Sequence, residues 1–198
     1  MKKVHDIFEK EAQAIKNIPV NDNFGKVIDL IYEQVHKKGG KVVTSGMGKA
    51  GQIAMNMATT FSSIGSPSVF LHPSEAQHGD LGVFQKNDLL LAISNSGKTR
   101  EIVELLSLIE QLFPGMPVVV ISGNPDSELA KKATLVLATG NPEEVCTLGL
   151  TPTTSTTVMT VMGDALVVLL QEKINFTREE YAKRHHGGYL GSLARKKK

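Results

Sequence analysis

The sequence predicts an open, doubly wound α/β fold: a three-layer sandwich in which a five-stranded parallel sheet is flanked by helices. Three observations point there. Five short apolar runs, KVVTS, PSVFLH, DLLLAIS, PVVVISG and TLVLAT, lack the strict polar alternation of a one-sided sheet, as expected of strands covered on both faces. Helical patterns separate several of these runs and can supply the crossovers that parallel strands need. Two turns of similar composition, SGMGKA at 45–50 and SNSGKT at 94–99, each leave a strand and open a helix.

Taken in order, the chain opens with helical patterns over about residues 4–17 and 23–37, the second ending at KKGG, where a glycine can take the C-cap. The first strand, KVVTS, leads into the helix AGQIAMNMATTFSSI, bounded by Gly65. PSVFLH and DLLLAIS are the next strands, REIVELLSLIEQL a helix, PVVVISG a strand, SELAKKA a short helix and TLVLAT the last strand. A long helix over about 156–173 and a shorter one opened by TREE at 177–180 complete the pattern. No composition shift marks a linker, so the expectation is a single domain over 1–198 with N-terminal helices and a C-terminal tail.

Composition narrows the function. The 198 residues carry 22 Lys plus Arg against 20 Asp plus Glu, a formal charge of +2 that provides no strong field for nucleic acid or an anionic membrane. The terminal ARKKK is basic and is expected to be solvated. Cys146 is the only cysteine, so no intramolecular disulfide can form and a reducing, cytoplasmic setting is expected. The N-terminus lacks the apolar stretch of a signal peptide, and TVMTVMGDALVVLLQEKI, broken by Gly163 and Asp164, is expected to fall short of a membrane span.

The loop AISNSGKT nearly fits a nucleotide P-loop, with Ala92 where the first glycine belongs. A magnesium-dependent NTPase also needs an acidic residue at the end of another strand, yet VVVIS leads to Gly123, LVLAT to Gly140 and SVFL to His72. Ser94, Asn95, Ser96 and Thr99, with the backbone N–H groups at Gly97 and its neighbours, suit a single phosphate monoester instead. In an open parallel sheet the loops after two strands can face one crevice, which places SGMGKA and SNSGKT at a common anion site.

Five ordered motifs, SGMGKAG, HPSEAQHGDLG, AISNSGKT, EEVCTLGLTPTTSTTVMTVMGDAL and HHGGYLG, together resemble the sugar isomerase (SIS) domain of D-arabinose-5-phosphate isomerases. The resemblance runs from about residue 42 to 191. It implies reversible conversion of D-ribulose 5-phosphate to D-arabinose 5-phosphate through an enediol, supplying the eight-carbon sugar acid Kdo for lipopolysaccharide or capsule. Many members carry two CBS domains after the isomerase; this sequence stops at Lys198 and is expected to be an SIS-only form, in which feedback by Kdo or its nucleotide conjugate would act at the isomerase site or an interface. The family's HPGG reads HHGG here, with His186 at the proline position, and its Glu after SNSG is Lys98, which makes the loop more positive.

The resemblance also implies roles. Lys49 would stabilise the enediolate, and Glu101 and Glu144 match the family's two functional acids. Glu144 is the expected base, its pKa raised by partial desolvation, with Glu143 the alternative. His185 would help open the sugar or shuttle hydroxyl protons, acting in a site completed by another subunit of a homotetramer. Substrate contacts are expected at Gly46, Gly48, Gly65, Ser66, His78, Ser94, Asn95, Ser96, Gly97 and Thr99. No cofactor is required, and His72 is a candidate contact for an inhibitory zinc. The hydroxyls of TPTTSTT at 151–157 are expected to cap the following helix. Two other readings stay open: another SIS isomerase acting on a hexulose or heptulose phosphate, and a non-catalytic sugar-phosphate sensor.

Overall fold

The computed structural model describes residues 1–195; residues 196–198, where most of the basic terminus falls, lie outside them. Helices α1 (Lys2–Lys16) and α2 (Asn23–Ile31) come first, followed by β1 (Val42–Gly46), α3 (Gly48–Ser63), β2 (Ser68–Phe70) and the short α4 (Pro73–Ala76). The chain continues through β3 (Leu89–Ile93), α5 (Arg100–Leu112), β4 (Val118–Ser122), α6 (Glu128–Lys131) and β5 (Leu135–Ala138). It ends with α7 (Thr154–Lys173), α8 (Arg178–Arg184) and α9 (Gly188–Arg195).

All five strands are parallel, in the order β2-β1-β3-β4-β5, as the apolar runs predict. Every residue of β1, β3 and β4 is buried. Side chains alternate between the faces: Leu89, Leu91 and Ile93 join the core formed with α2, α3 and α7, while Leu90 and Ala92 join the one beneath α5 and α6. Two hydrophobic layers therefore clamp the sheet.

The order reverses between β1 and β3. From β1 the chain moves outward to β2, then returns past β1 to lay down β3 on its other side. The two connections diverge there and leave a crevice at the carboxyl ends of β1 and β3, the switch point where open α/β sheets bind ligands. Glycines let α3 start directly above β1: a Cβ on Gly46 would lie 2.8 Å from the Ala50 carbonyl carbon, and one on Gly51 would lie 2.6 Å from the Gly46 oxygen.

At the opposite, amino edge the same two strands share an ion pair. Asp88, wholly buried, receives Lys41 Nζ at 2.6 Å, the Lys41 backbone N–H at 2.9 Å and the Gln85 N–H at 2.8 Å.

Several local features depart from expectation. The helix expected over 23–37 ends in a π-helical turn, Tyr32–Lys37, with the Lys38 N–H donating to the Glu33 carbonyl at 3.1 Å. That turn buries Val35 and brings His36 Nε2 within 2.9 Å of Ser66 Oγ; Gly39, at φ 74°, then ends the run. The C-terminal tail is helical: α9 folds back on α8, with Arg178 donating to the carbonyls of Leu193 and Ala194.

Correction is also needed at α7. It begins at Thr154 and runs 20 residues, of which an 18-residue window reaches a mean hydropathy of 1.3, long and apolar enough by length and composition to cross a membrane. Half of that window is buried, with Val158, Met162, Leu166 and Leu170 in the core, so in this fold α7 packs as a core helix.

Replacing Asp88 by Ala should leave Lys41 and the two backbone donors without their acceptor and destabilise the fold by about 2–3 kcal/mol, short of a fully buried pair because Lys41 keeps some solvent contact. A shift in the denaturant midpoint at constant m-value checks this.

Candidate active site

Residues 94–99 leave β3 and turn into α5. Ser94, almost fully buried, has its Oγ 2.9 Å from Thr99 Oγ1 and accepts the Gly97 N–H at 3.2 Å, which closes the turn. Gly97 takes φ 62° and lies against α6, where a Cβ would collide with Ser127 Oγ at 2.0 Å. Only glycine fits that close approach. No side chain caps α5, since the hydroxyl of its N-cap Thr99 is turned back to Ser94. The first N–H groups of α5 have no acceptor within the helix, so its positive end is left for an anion.

Across the switch point α3 also starts without a side-chain cap, and Gly48 takes φ 57° before Lys49. Lys49 is exposed on the crevice, its Nζ 3.4 Å from Gln52 Oε1. The crevice measures about 750 Å³ and is lined by Met47, Lys49, the 94–99 turn, Gly123, Asn141, Glu144 and the start of α7. Among the described lining residues Glu144 is the one carboxylate, and Lys49 and Lys98 supply two ammonium groups.

Glu144 is held tightly. Its Oε2 accepts the Thr153 and Thr154 N–H groups at 2.7 and 2.8 Å and the Thr153 hydroxyl at 3.3 Å, and its Oε1 accepts from Ser155 Oγ. Partial burial pushes its pKa upward, but the hydrogen bonds from Ser155, Thr153 and Thr154 outweigh it and hold the carboxyl below its ordinary range. The expected rise is therefore corrected to a fall, because the carboxylate serves the exposed donors of a helix N-terminus. The same geometry corrects the capping expectation: the cap of α7 comes from Glu144, outside the helix, rather than from its own hydroxyls.

Cys146, two residues on, accepts the N–H groups of Leu150 and Thr151 at 3.3 and 3.2 Å. Hydrogen bonds from Thr151, side chain and backbone, and from Leu150 lower its thiol pKa to about 7. Together with the Val145 N–H on Thr154 Oγ1 at 3.2 Å, these contacts clasp the segment that forms one wall of the crevice.

The other expected residues are dispersed. Gly46, Gly48 and Gly97 are at the crevice ends of β1 and β3, and Ser94, Asn95, Ser96 and Thr99 line it. Glu101, half-buried in the first turn of α5, stands just beyond the lining. His72 Nδ1 accepts the Ser74 N–H at 3.3 Å and caps α4, and His78 is exposed beyond it. Among the described residues no group of three His, Cys, Asp or Glu is placed to hold a metal.

Gly65, Ser66 and His185 do not reach the crevice of their own chain. Gly65 and Ser66 precede β2 at the amino edge of the sheet, and Ser66 is wholly buried against His36. His185 stacks on Tyr181 at 3.7 Å, directly after Arg184, whose guanidinium lies against Gly65. The cause is the length of α7: its 20 residues start at the crevice and carry the chain about 30 Å to the far edge before α8 begins. Sequence reasoning did not single out Asn141, which lines the crevice with a positive φ of 49°.

The low pKa of Glu144 has a pH consequence. A depressed carboxyl pKa adds stability that is fully present above its unfolded value, ordinarily 4.5, and is lost as pH falls through the folded value. Glu144→Gln should therefore melt below the wild type at neutral pH, with the gap closing on acidification; thermal melts across that pH range check it.

Comparison with known proteins agrees with this fold. The SIS domain model matches residues 35–169. A Bacteroides fragilis protein proposed as a phosphosugar isomerase involved in capsule formation superposes with a TM-score of 0.94 at 66% identity, over 95% of this chain and 98% of that one. An Escherichia coli CFT073 protein solved in complex with arabinose 5-phosphate gives a TM-score of 0.85 at 35% identity, over 92% and 95%. Arabinose 5-phosphate isomerase KdsD of Shigella flexneri is 45% identical over 92% of this chain; the match takes in 54% of the relative, so the chain spans about half the length of the curated proteins it matches. On the sheet order, the switch-point crevice and these matches, the chain belongs to the SIS domain family.

Proposed function

We propose that this protein is a phosphosugar isomerase that interconverts D-ribulose 5-phosphate and D-arabinose 5-phosphate. One observation carries the reading: the uncapped start of α5, the Lys49 ammonium and the Glu144 carboxylate share one crevice at the switch point. The 45% identity to arabinose 5-phosphate isomerase KdsD and the arabinose 5-phosphate bound to the 35% identical relative support the choice of sugar.

The phosphate would sit on the 94–99 turn, where α5 offers unpaired N–H groups and Lys98 adds charge. Isomerisation moves a proton between C1 and C2 through an enediolate. Glu144, ionised at neutral pH, is in the form that accepts that proton, and Lys49 would stabilise the charge that develops on oxygen. Glu101 would order the substrate from just beyond the turn. A proton moves and no hydride does, so the reaction calls for no redox cofactor.

His185 belongs to this scheme only across an interface. The corner that carries Gly65, Ser66 and His185 would enter the crevice of a neighbouring copy, as in a homotetramer with shared sites. Production of D-arabinose 5-phosphate for Kdo, and so for capsule or lipopolysaccharide, in the cytoplasm completes the proposal; the capsule-associated relative at 66% identity supports it.

NMR of ribulose 5-phosphate with the enzyme in deuterated water should show arabinose 5-phosphate deuterated at C2. Conversion of hexulose or heptulose phosphates alone would overturn the choice of sugar, and binding without turnover of any phosphosugar would favour a sensor. Glu144→Gln should keep substrate binding and lose at least a hundred-fold in kcat. Inactive Lys49→Ala and His185→Ala chains, co-refolded, should regain activity in hybrids; hybrids as inactive as either parent would rule out shared sites.

A further inference from the structure

Asn95, expected to help wrap the phosphate, lines the crevice with its side-chain oxygen over Gly123. Asn95 Oδ1 is buried and has no hydrogen-bond partner, the one such side-chain atom among the described residues. It points over Gly123, at the end of β4. A Cβ built there would fall 2.7 Å from Asn95 Oδ1, 2.9 Å from the Asn95 carbonyl oxygen and 3.0 Å from Asn141 Oδ1. Two amide side chains from the ends of β3 and β5 thus converge on a floor that has no side chain, and all three residues line the crevice. Asn141 is held for this by its left-handed backbone at φ 49° and by its N–H on Thr139 Oγ1 at 3.3 Å.

A buried acceptor without a donor is costly, and native structures seldom keep one without a reason. A phosphate dianion cannot satisfy it, because phosphate offers only acceptors to an amide oxygen. A hydroxyl can.

We infer that Asn95 and Asn141, above Gly123, form a hydroxyl-reading subsite for the carbon chain of the ligand, beside the phosphate anchor made by the hydroxyls of Ser94, Ser96 and Thr99 and the start of α5. The chain would run from the start of α5 across the ends of β4 and β5, and its hydroxyls would supply the donor that Asn95 lacks. The ligand class is a phosphorylated polyol or sugar, and the two asparagines act as specificity determinants. This rests on reading the crevice as a phosphosugar site.

The test separates hydroxyl recognition from phosphate anchoring. Calorimetry on wild type, Asn95→Leu and Asn141→Ala would use D-arabinose 5-phosphate and, separately, inorganic phosphate. The expected result is a loss of roughly ten-fold or more in affinity for the sugar phosphate in each variant, with inorganic phosphate bound as in wild type. Parallel loss of both ligands would make Asn95 part of the phosphate anchor and overturn the inference, as would no change in either. Asn141→Ala, on an exposed residue, keeps the test decisive if Asn95→Leu does not fold. A wild type that binds the sugar phosphate but turns over no phosphosugar refutes the isomerase reading alone; one that binds it no better than inorganic phosphate refutes the subsite.

Discussion

Parallel pairing of β1 with β3 is the interaction on which the rest of this protein depends. The two strands run in register from Val42 opposite Leu89 to Gly46 opposite Ile93, buried throughout and pinned at the amino edge by Lys41 and Asp88. Because the chain passes outward to β2 before returning to β3, the connections separate above this pair and a crevice opens at its carboxyl end. Everything proposed about chemistry is attached to that gap. A shift between the two strands would move Lys49 relative to the 94–99 turn.

The helix ends around the gap are treated in two ways. Those of α3 and α5, which open on it, lack side-chain caps, while α6 is capped by Ser127 and α7 by Glu144. An uncapped N-terminus keeps unpaired donors and a partial positive charge, which is what a phosphate or a developing oxyanion needs. Glu144 connects the two: it neutralises the start of α7 while lining the same crevice as Lys49 and Lys98. The hydrogen bonds that hold it keep it ionised and also set its position.

Much of this was legible in the residues. The apolar runs announced the strands because a doubly covered strand has no face to leave polar, and the Ser, Gly and Lys turns announced the crevice because tight turns into helices need those residue types. The acid at 144 was legible as a candidate and does line the crevice, but its pKa went the wrong way in prediction. Burial can be guessed from local composition, whereas the donors of residues 153–155 reach Glu144 only after the chain has looped back nine to eleven positions later. The distance of His185 from the crevice of its own chain was not legible for a similar reason: a sequence order of motifs does not say that α7 carries the last of them to the opposite edge.

The sequence by itself determined the sheet, the helices, the family and the Ser- and Gly-rich turns that open α3 and α5, because each depends on residue type and short-range spacing. Only the tertiary structure decided which helix ends stay open, that Glu144 caps α7, and that the side-chain oxygens of Asn95 and Asn141 meet over Gly123. Those outcomes depend on contacts between residues far apart in the chain, and distance in space is the quantity that residue order does not contain.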